Sequence, residues 1–481
     1  MSKTIIIIGA GLAGLSAALQ AAENGCNVKL VSSLPSERAQ SVMAEGGINA
    51  ALNTKDENDS PEEHFTDTIK AACGLADPNA VWGMTQAAPE LVHWLLKLGV
   101  KFNMSGYDDV DLRNFGGQKK KRTAFAQSDT GKQIMTAMID AVRRKEASGM
   151  VERFSHHSFL TLRLCGNICC GCVIRDEYSQ ETVELPGDAV IVATGGMHGL
   201  FGNTTGSLSN TGEVTAELFR LGVPLANGEM IQYHPTTVKC GGKRMLISEA
   251  ARGEGGRLFA MKDGKQWYFM EEKYPELGNL MPRDITAREI WKVSHESEVF
   301  LDMTEISEEI ISNKLSGLAD DCMTYLHKDI RKEPVSVLPG IHYFMGGILV
   351  DEQHRTPIQN LYAAGECCAQ YHGANRLGGN SLLGALYGGR VAAKSACEQA
   401  DVVDLSCATQ IDFPPASQIS EIKQLNKVMQ ETMGVVRNEN TLLNGIQTVQ
   451  ALTGNLPLLG MAVLKSALAR KESRGAHWRE D

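Results

Sequence analysis

Two arginines, two histidines and a serine stand out because each lies in a glycine- or proline-containing stretch that can bring a side chain close to a ligand. They are Arg283 in "PRD", Arg376 in "HGANRLGG", His234 in "QYHPT", His342 in "HYFMGG" and Ser248 just before "EAARGEGG". A guanidinium grips a carboxylate in two places where lysine offers only a point charge, so a pair of arginines suits a ligand that carries carboxylates. Glu249 and Arg252, spaced i, i+3, share a face of a helix, which suits a proton relay. Read alone, those two charges would be a surface ion pair of little energetic weight.

The elements that must position these groups are legible from glycine placement. Four isoleucines, Ile5 to Ile8, read as a buried strand, and "GAGLAG" then places Gly9, Gly11 and Gly14 ahead of the small-residue helix "LSAALQAAENG". Gly9 makes the tight turn, Gly11 lets the backbone meet a pyrophosphate, and Gly14 lets helix and strand pack closely. The helix N-terminus turns its partial positive charge toward the phosphates. This punctuation separates the segment from a signal peptide, and no other run approaches a membrane span. The second strand, "NVKLVSS", ends in Ser32-Ser33 where an NAD site would place an acid. "DAVIVATGG" ends a further strand at Gly195-Gly196, and "TPIQNLYAAGECC" reads as turn, strand and terminal Glu366 before another small-residue helix start. Three glycine-rich loops from distant segments suit a long, bent cofactor such as FAD.

Composition sets the bounds. A chain of 481 residues suggests two to four units at ~150 residues per domain. With 47 basic and 57 acidic residues, the formal charge of −10 argues against nucleic acid as a main partner. Cys165, Cys169, Cys170 and Cys172 in "CGNICCGC" match no standard metal spacing and read instead as a hairpin turning at Gly166-Asn167. No disulfide-like framework is visible among the 12 cysteines, which favours a reducing compartment. His156-His157 and the run Lys119 to Lys121 read as ordinary loop polarity.

The chain resembles the flavoprotein subunits of the succinate dehydrogenase and fumarate reductase family, of which L-aspartate oxidase is a sister group. The resemblance rests on "AEGG" at 44–47, "QYHPT" at 232–236, "EAARGEGG" at 249–256, "PRD" at 282–284, "HYFMGG" at 342–347 and "HGANRLGGNSLL" at 372–383. It implies an α/β chain whose discontinuous Rossmann-like FAD-binding domain spans residues 1–228 and 343–405. A capping α+β domain would be inserted at 229–342, and a helical C-terminal segment would span 406–481, beginning near "DFPPAS" (Asp412 to Ser417). The chain stops at "KESRGAHWRED", where the resemblance leads one to expect a further small tail domain.

By the same resemblance, His234, Ser248, His342 and Arg376 hold the substrate carboxylates, with Glu249 and Phe115 also in the substrate site. Arg283 stands at the proton donor's position. A guanidinium acid conflicts with its high pKa unless it regains a proton as it gives one, and Glu249 and Arg252 are placed to supply it. Glu229 and Tyr233 read as support for the nearby His234. The cofactor would be held by Gly9, Gly11, Gly14, Ser32, Gln40, Ser41, Gly46, Gly47, Gly195, Glu213, Glu366, Arg376, Ser381 and Leu382. Gln40 stands five residues before Glu45, where respiratory members carry the histidine that bonds covalently to flavin. An amide is no nucleophile for that bond, so FAD is expected to be held non-covalently. No metal ligand set is visible.

The resemblance implies fumarate reductase-type chemistry, hydride passing between FAD and a C4 dicarboxylate, with L-aspartate oxidase as the alternative. Family members with aspartate oxidase activity place a glutamate before the Gly-Gly that Phe115 precedes here. An apolar ring there would leave a substrate ammonium unpaired, at a cost on the order of several kcal/mol. A non-catalytic assembly role would leave four converging cationic or titratable groups without purpose. Electrons would come from an iron–sulfur subunit or another redox partner, and the chain would reside in the cytoplasm, reaching the inner face of the membrane through partner subunits.

Overall fold

The structure, a computed structural model, describes residues 2–106, 109–401, 413 and 418–481. The break expected at Asp412 to Ser417 falls outside them apart from Phe413. Ile5, Ile6 and Ile7 are fully buried and Ile8 nearly so. A β-branched run buried on both faces calls for a parallel sheet covered on each side. It forms the middle of one, a five-stranded parallel sheet ordered Leu361–Ala363, Ala189–Val192, Thr4–Ile8, Asn27–Ser32 and Val151–Ser155. The first four strands in the chain precede the capping unit, and Leu361–Ala363 returns after it to pair with Ala189–Val192.

Close packing behind the sheet explains the small residues. A side chain on Gly14 would place its Cβ 1.8 Å from the Gly9 carbonyl oxygen, and Gly9, at φ +112°, would place one 2.3 Å from the Ala193 oxygen. The helix Leu12–Glu23 and the helix Asn380–Gln399 lie backbone to backbone, since a Cβ on Gly389 would come within 2.3 Å of the Ala13 oxygen. Ser16 Oγ donates to the Leu386 carbonyl across that contact at 2.6 Å.

The cysteine-rich stretch is the expected hairpin, His157–Cys165 pairing antiparallel with Ile168–Asp176, and Thr182–Pro186 adds a third strand. Cys169 and Cys172 are buried free thiols, the first pushed up to about 12 by burial. Cys165 is disulfide-bonded. The expectation that the chain carries no disulfide framework therefore did not foresee this bond.

The inserted unit has its own antiparallel sheet, Lys265–Trp267, Arg257–Lys262, Val299–Asp302 and Val335–Ser336, and its own core around Leu258, Phe269, Ile290 and Leu301. A second antiparallel sheet, Lys243–Leu246, Ile231–Cys240 and Leu338–Phe344, carries His234 and His342 on paired strands. The C-terminal helices Ile419–Thr432, Glu439–Val449 and Asn455–Ala469 pack against this sheet. Glu229 pairs with Arg470 at 2.6 Å, and the Tyr233 hydroxyl donates to the Met433 carbonyl at 2.8 Å, so both residues fasten the histidine strand to the helices. The fold is α/β: a discontinuous Rossmann-like cofactor domain, an inserted α+β cap and a helical C-terminal segment. Among the described residues no helix is long and apolar enough to cross a membrane.

Candidate active site

A cleft of about 1180 Å³ runs from the C-terminal ends of the parallel strands to the underside of the cap. Gly9, Gly11, Ser32, Gln40, Ser41, Gly46 and Gly47 line one side, and Gly195, Glu213, Glu366, Ser381 and Leu382 line another. Gly14 lies behind it and serves packing only. The helices Leu12–Glu23 and Asn380–Gln399 both point their N-termini at the cleft, a site for negative charge. Ser41 Oγ accepts from Leu12 N at 3.2 Å and so ties the "AEGG" approach to the first helix.

This arm fits FAD. Ser32 Oγ, at the end of the second strand, is buried without a partner, a hydroxyl awaiting a polar ligand. A Cβ on Gly11 would meet nothing nearer than 3.7 Å, so that glycine leaves room on the ligand side. Glu366 Oε1 accepts from Phe344 N at 3.1 Å, which fixes its carboxylate at the cleft wall. Burial holds the Glu213 carboxyl above its usual range, with Glu217 adding to the shift.

At the cap end the cleft is lined by His234, Ser248, Glu249, Arg283, His342 and Arg376, with Phe115 beside them. Arg283 is the first residue of the helix Arg283–Val293, presented just after Pro282. Its Nε and Nη2 donate to one oxygen, Glu249 Oε2, at 2.8 and 2.5 Å, and its Nη1 donates to Gln232 Oε1 at 3.1 Å. The other carboxylate oxygen, Glu249 Oε1, accepts from Gly116 N at 2.9 Å and faces Arg252 Nη2 at 3.3 Å. Glu249 and Arg252 share the short helix Glu249–Gly253, capped by Ser248, as their spacing foretold. Arg252 is buried and does not reach the cleft, so it touches the site only through Glu249.

The histidine rings stand edge to face, 5.1 Å between centroids. His234 Nδ1 lies 3.1 Å from the Thr236 carbonyl oxygen, and His342 Nδ1 lies 2.8 Å from Thr205 Oγ1. Arg376 stacks over Tyr343 at 4.4 Å, and its carbonyl accepts from Gln232 Nε2 at 2.8 Å. Gln232 thus links the Arg283 guanidinium to the backbone of Arg376, and neither it nor Thr205 was marked by the sequence as a site residue. Gln232 lies within "QYHPT", but nothing in the sequence puts it between two arginines from segments far down the chain.

Electrostatics follow from burial. Burial pushes His234 and His342 well below the usual histidine value, and Arg283 lowers both further, so both rings are neutral and can only donate or accept hydrogen bonds. Burial lowers Arg376 to about 9, and Arg283 adds to this. Burial raises Glu249, but Arg283 and Arg252 outweigh it and hold the carboxyl below its usual range. At the cap end Arg283 and Arg376 face the cleft with one carboxylate, Glu249, which Arg252 also engages, so this end is short of the negative charge that a dicarboxylate would supply.

The FAD binding domain family matches residues 4–382, and the fumarate reductase flavoprotein C-terminal family matches residues 451–481. The succinate dehydrogenase flavoprotein subunit of Bacillus subtilis is 38% identical, across 100% of this chain and 91% of its own. The chain belongs to the succinate dehydrogenase and fumarate reductase flavoprotein family. Within that family the L-aspartate oxidase of Streptomyces coelicolor is also 32% identical, across 100% of this chain and 89% of its own. An E. coli quinol fumarate reductase structure superposes with a TM-score of 0.90 at 27% identity, covering 100% of this chain and 91% of that one. The protein is therefore an FAD-dependent oxidoreductase of the kind that acts on CH–CH groups. FAD, when bound, supplies the two-electron chemistry.

Proposed function

We propose that this flavoprotein reduces fumarate, or a closely similar enoate dicarboxylate, to the saturated acid. The observation that carries the reading is the buried chain Arg252–Glu249–Arg283, which opens on the cleft beside His234, His342 and Arg376. Reduction of the double bond adds a hydride at one carbon and a proton at the other. Arg376 and the neutral histidines hold and orient the carboxylates, and Arg283 gives the proton from its guanidinium. Glu249 passes it a replacement as it draws one from Arg252, and Arg252 then regains its proton from solvent before the next turnover. A positioned acid of this kind contributes on the order of 10²- to 10⁴-fold.

Phe115 supports fumarate over aspartate. Its ring is 2% exposed and lies against the cleft, 2.7 Å from where a Cβ on Gly46 would be, so an ammonium there would meet apolar carbon. Mixing anaerobically reduced enzyme with fumarate and, separately, with iminoaspartate tests the reading. Flavin reoxidation by fumarate is the expected result; preferential reoxidation by iminoaspartate would make the protein an aspartate oxidase.

The same reading includes FAD held without a covalent bond, and domains at residues 1–228 with 343–405, at 229–342 and at 406–481. It also includes an iron–sulfur subunit as electron donor at the cytoplasmic face of a membrane. The B. subtilis relative is itself described as a subunit, which is what supports the last of these.

A further inference from the structure

The relay that the proposed function rests on ends at Arg252, a side chain wholly removed from solvent. Its Nε has no hydrogen-bond partner among the described residues, and its Nη2 meets Glu249 only at 3.3 Å. The bond that fixes the guanidinium is a different one: Nη1 donates to the backbone carbonyl of Asn279 at 2.6 Å. Asn279 is the middle of the short turn Gly278–Leu280, three residues ahead of Pro282-Arg283. That turn is pinned on each side. Asn279 Oδ1 accepts from Leu258 N at 2.9 Å, and its Nδ2 donates to Glu271 Oε1 at 2.9 Å. Glu271 is held by a two-pronged pair with Arg257 Nε and Nη2, at 2.8 and 2.6 Å. On the other side, Gly117 N donates to the Leu280 carbonyl at 3.0 Å, next to the Gly116 amide that binds Glu249.

From these contacts we infer that Asn279, clamped by Glu271 and the Leu258 amide, is a positioning residue that holds Arg252 in line with Glu249 and so sets the rate at which Arg283 is reprotonated. The side chain of Asn279 touches neither the cleft nor any relay group. Its effect runs through its own carbonyl and through the turn that leads into Arg283. Because the carbonyl belongs to the backbone, a substitution at 279 removes the clamp and leaves the acceptor in place but unfixed. A displacement of about 1 Å at such a point costs up to ~10²-fold in rate without a lost contact to substrate.

The test uses the FAD-loaded protein with a reduced dye as donor and fumarate as substrate. Asn279→Ala should lower kcat by about 10-fold or more while the KM for fumarate, the bound flavin and the melting temperature stay near the parent values. The solvent deuterium isotope effect on kcat should rise as proton delivery becomes limiting. Glu271→Gln, which keeps an oxygen for the Asn279 amide, should retain most of the turnover that Glu271→Ala loses. An unchanged kcat in Asn279→Ala, or a fall accompanied by lost flavin and a lower melting temperature, would overturn the inference. Arg252→Ala separates it from the reading it rests on. If Arg252→Ala is inactive and Asn279→Ala is not, the inference alone fails; if Arg252→Ala keeps full kcat, the relay fails and takes the inference with it.

Discussion

Gln40 Oε1 accepts a hydrogen bond from the Ser207 backbone amide at 2.6 Å, joining the loop before the "AEGG" glycines to the far wall of the cofactor cleft. The side chain is engaged as an acceptor and carries no nucleophile. Acid precipitation of the protein should therefore release all the flavin to the supernatant, and a fluorescent washed pellet would refute it. The proposed non-covalent flavin would lack the rise in potential that a covalent bond gives, so its reduced form would be the stronger donor, each 30 mV on a two-electron couple being about 1.4 kcal/mol. Fumarate reduction should exceed succinate oxidation when both are assayed at saturation with dyes of matched potential; a ratio the other way would mean that position 40 does not set the direction.

Arg283 makes three hydrogen bonds that converge on Glu249 and Gln232, and the rest of its guanidinium faces the cleft. Arg283→Ala or Arg283→Gln should cut turnover at least ~10²-fold with flavin still bound. Turnover that survives with only a raised KM would make this arginine a binding group and move the acid elsewhere.

Phe115→Glu would place a carboxylate next to Gly378 and beside the Gly116 amide that serves Glu249. Like charge would weaken dicarboxylate binding. The KM for fumarate should rise by roughly 10-fold, the effect of about 1.4 kcal/mol. A KM equal to the parent's would mean that Phe115 does not face the bound substrate.

Burial also sets an acid limit. His64 and His372 are lowered to about 3 by burial, and His234 and His342 well below 6.5 by the same cause. A histidine lowered on folding takes its proton first in the unfolded chain. Its contribution is therefore intact above ~6.5 and is lost as pH falls below that, at about 1.4 kcal/mol per pH unit for each proton. Glu45, raised to about 8 by burial and then by Asp321, works in the opposite sense, its contribution shrinking as pH rises from 4.5 toward 8. His354 and His477, lowered to about 4 by burial, act with the other histidines, while the raised carboxyls Asp59, Asp67, Glu213, Asp284 and Asp321 act with Glu45. Six imidazoles that take their proton in the unfolded chain from ~6.5 downward set the sign over this interval, so the urea midpoint should fall between pH 6.5 and 5. A midpoint that rises over that interval would contradict the buried, neutral histidines.

What could be read from sequence was whatever depends on short-range patterning. The isoleucine run, the glycines of the first turn and the i, i+3 spacing of Glu249 and Arg252 each declare their geometry within a few residues. Gln232 and Thr205 were out of reach because a glutamine or threonine is informative only through its partners, and those partners, Arg283, Arg376 and His342, come from other strands and helices. The disulfide at Cys165 escaped for the same reason, since spacing within the hairpin says nothing of a sulfur outside it. Gly14 was read both as packing helix on strand and among the cofactor residues; the crowding at the Gly9 oxygen agrees with the packing role, and Gly14 does not line the cleft.

The parallel sheet draws its strands from Thr4–Ile8 at one extreme and Leu361–Ala363 at the other. A ribosome must therefore translate about three-quarters of the message before the last strand exists, and the helix that completes the phosphate wall emerges later still. Pairings so far apart in sequence close slowly, because chain entropy is lost before contacts repay it. The nascent protein spends that interval with the short apolar edge Ala189–Val192 unpaired on that side, a surface open to wrong strand partners. Closure of the sheet, and with it cover for that edge, therefore waits on the last quarter of synthesis.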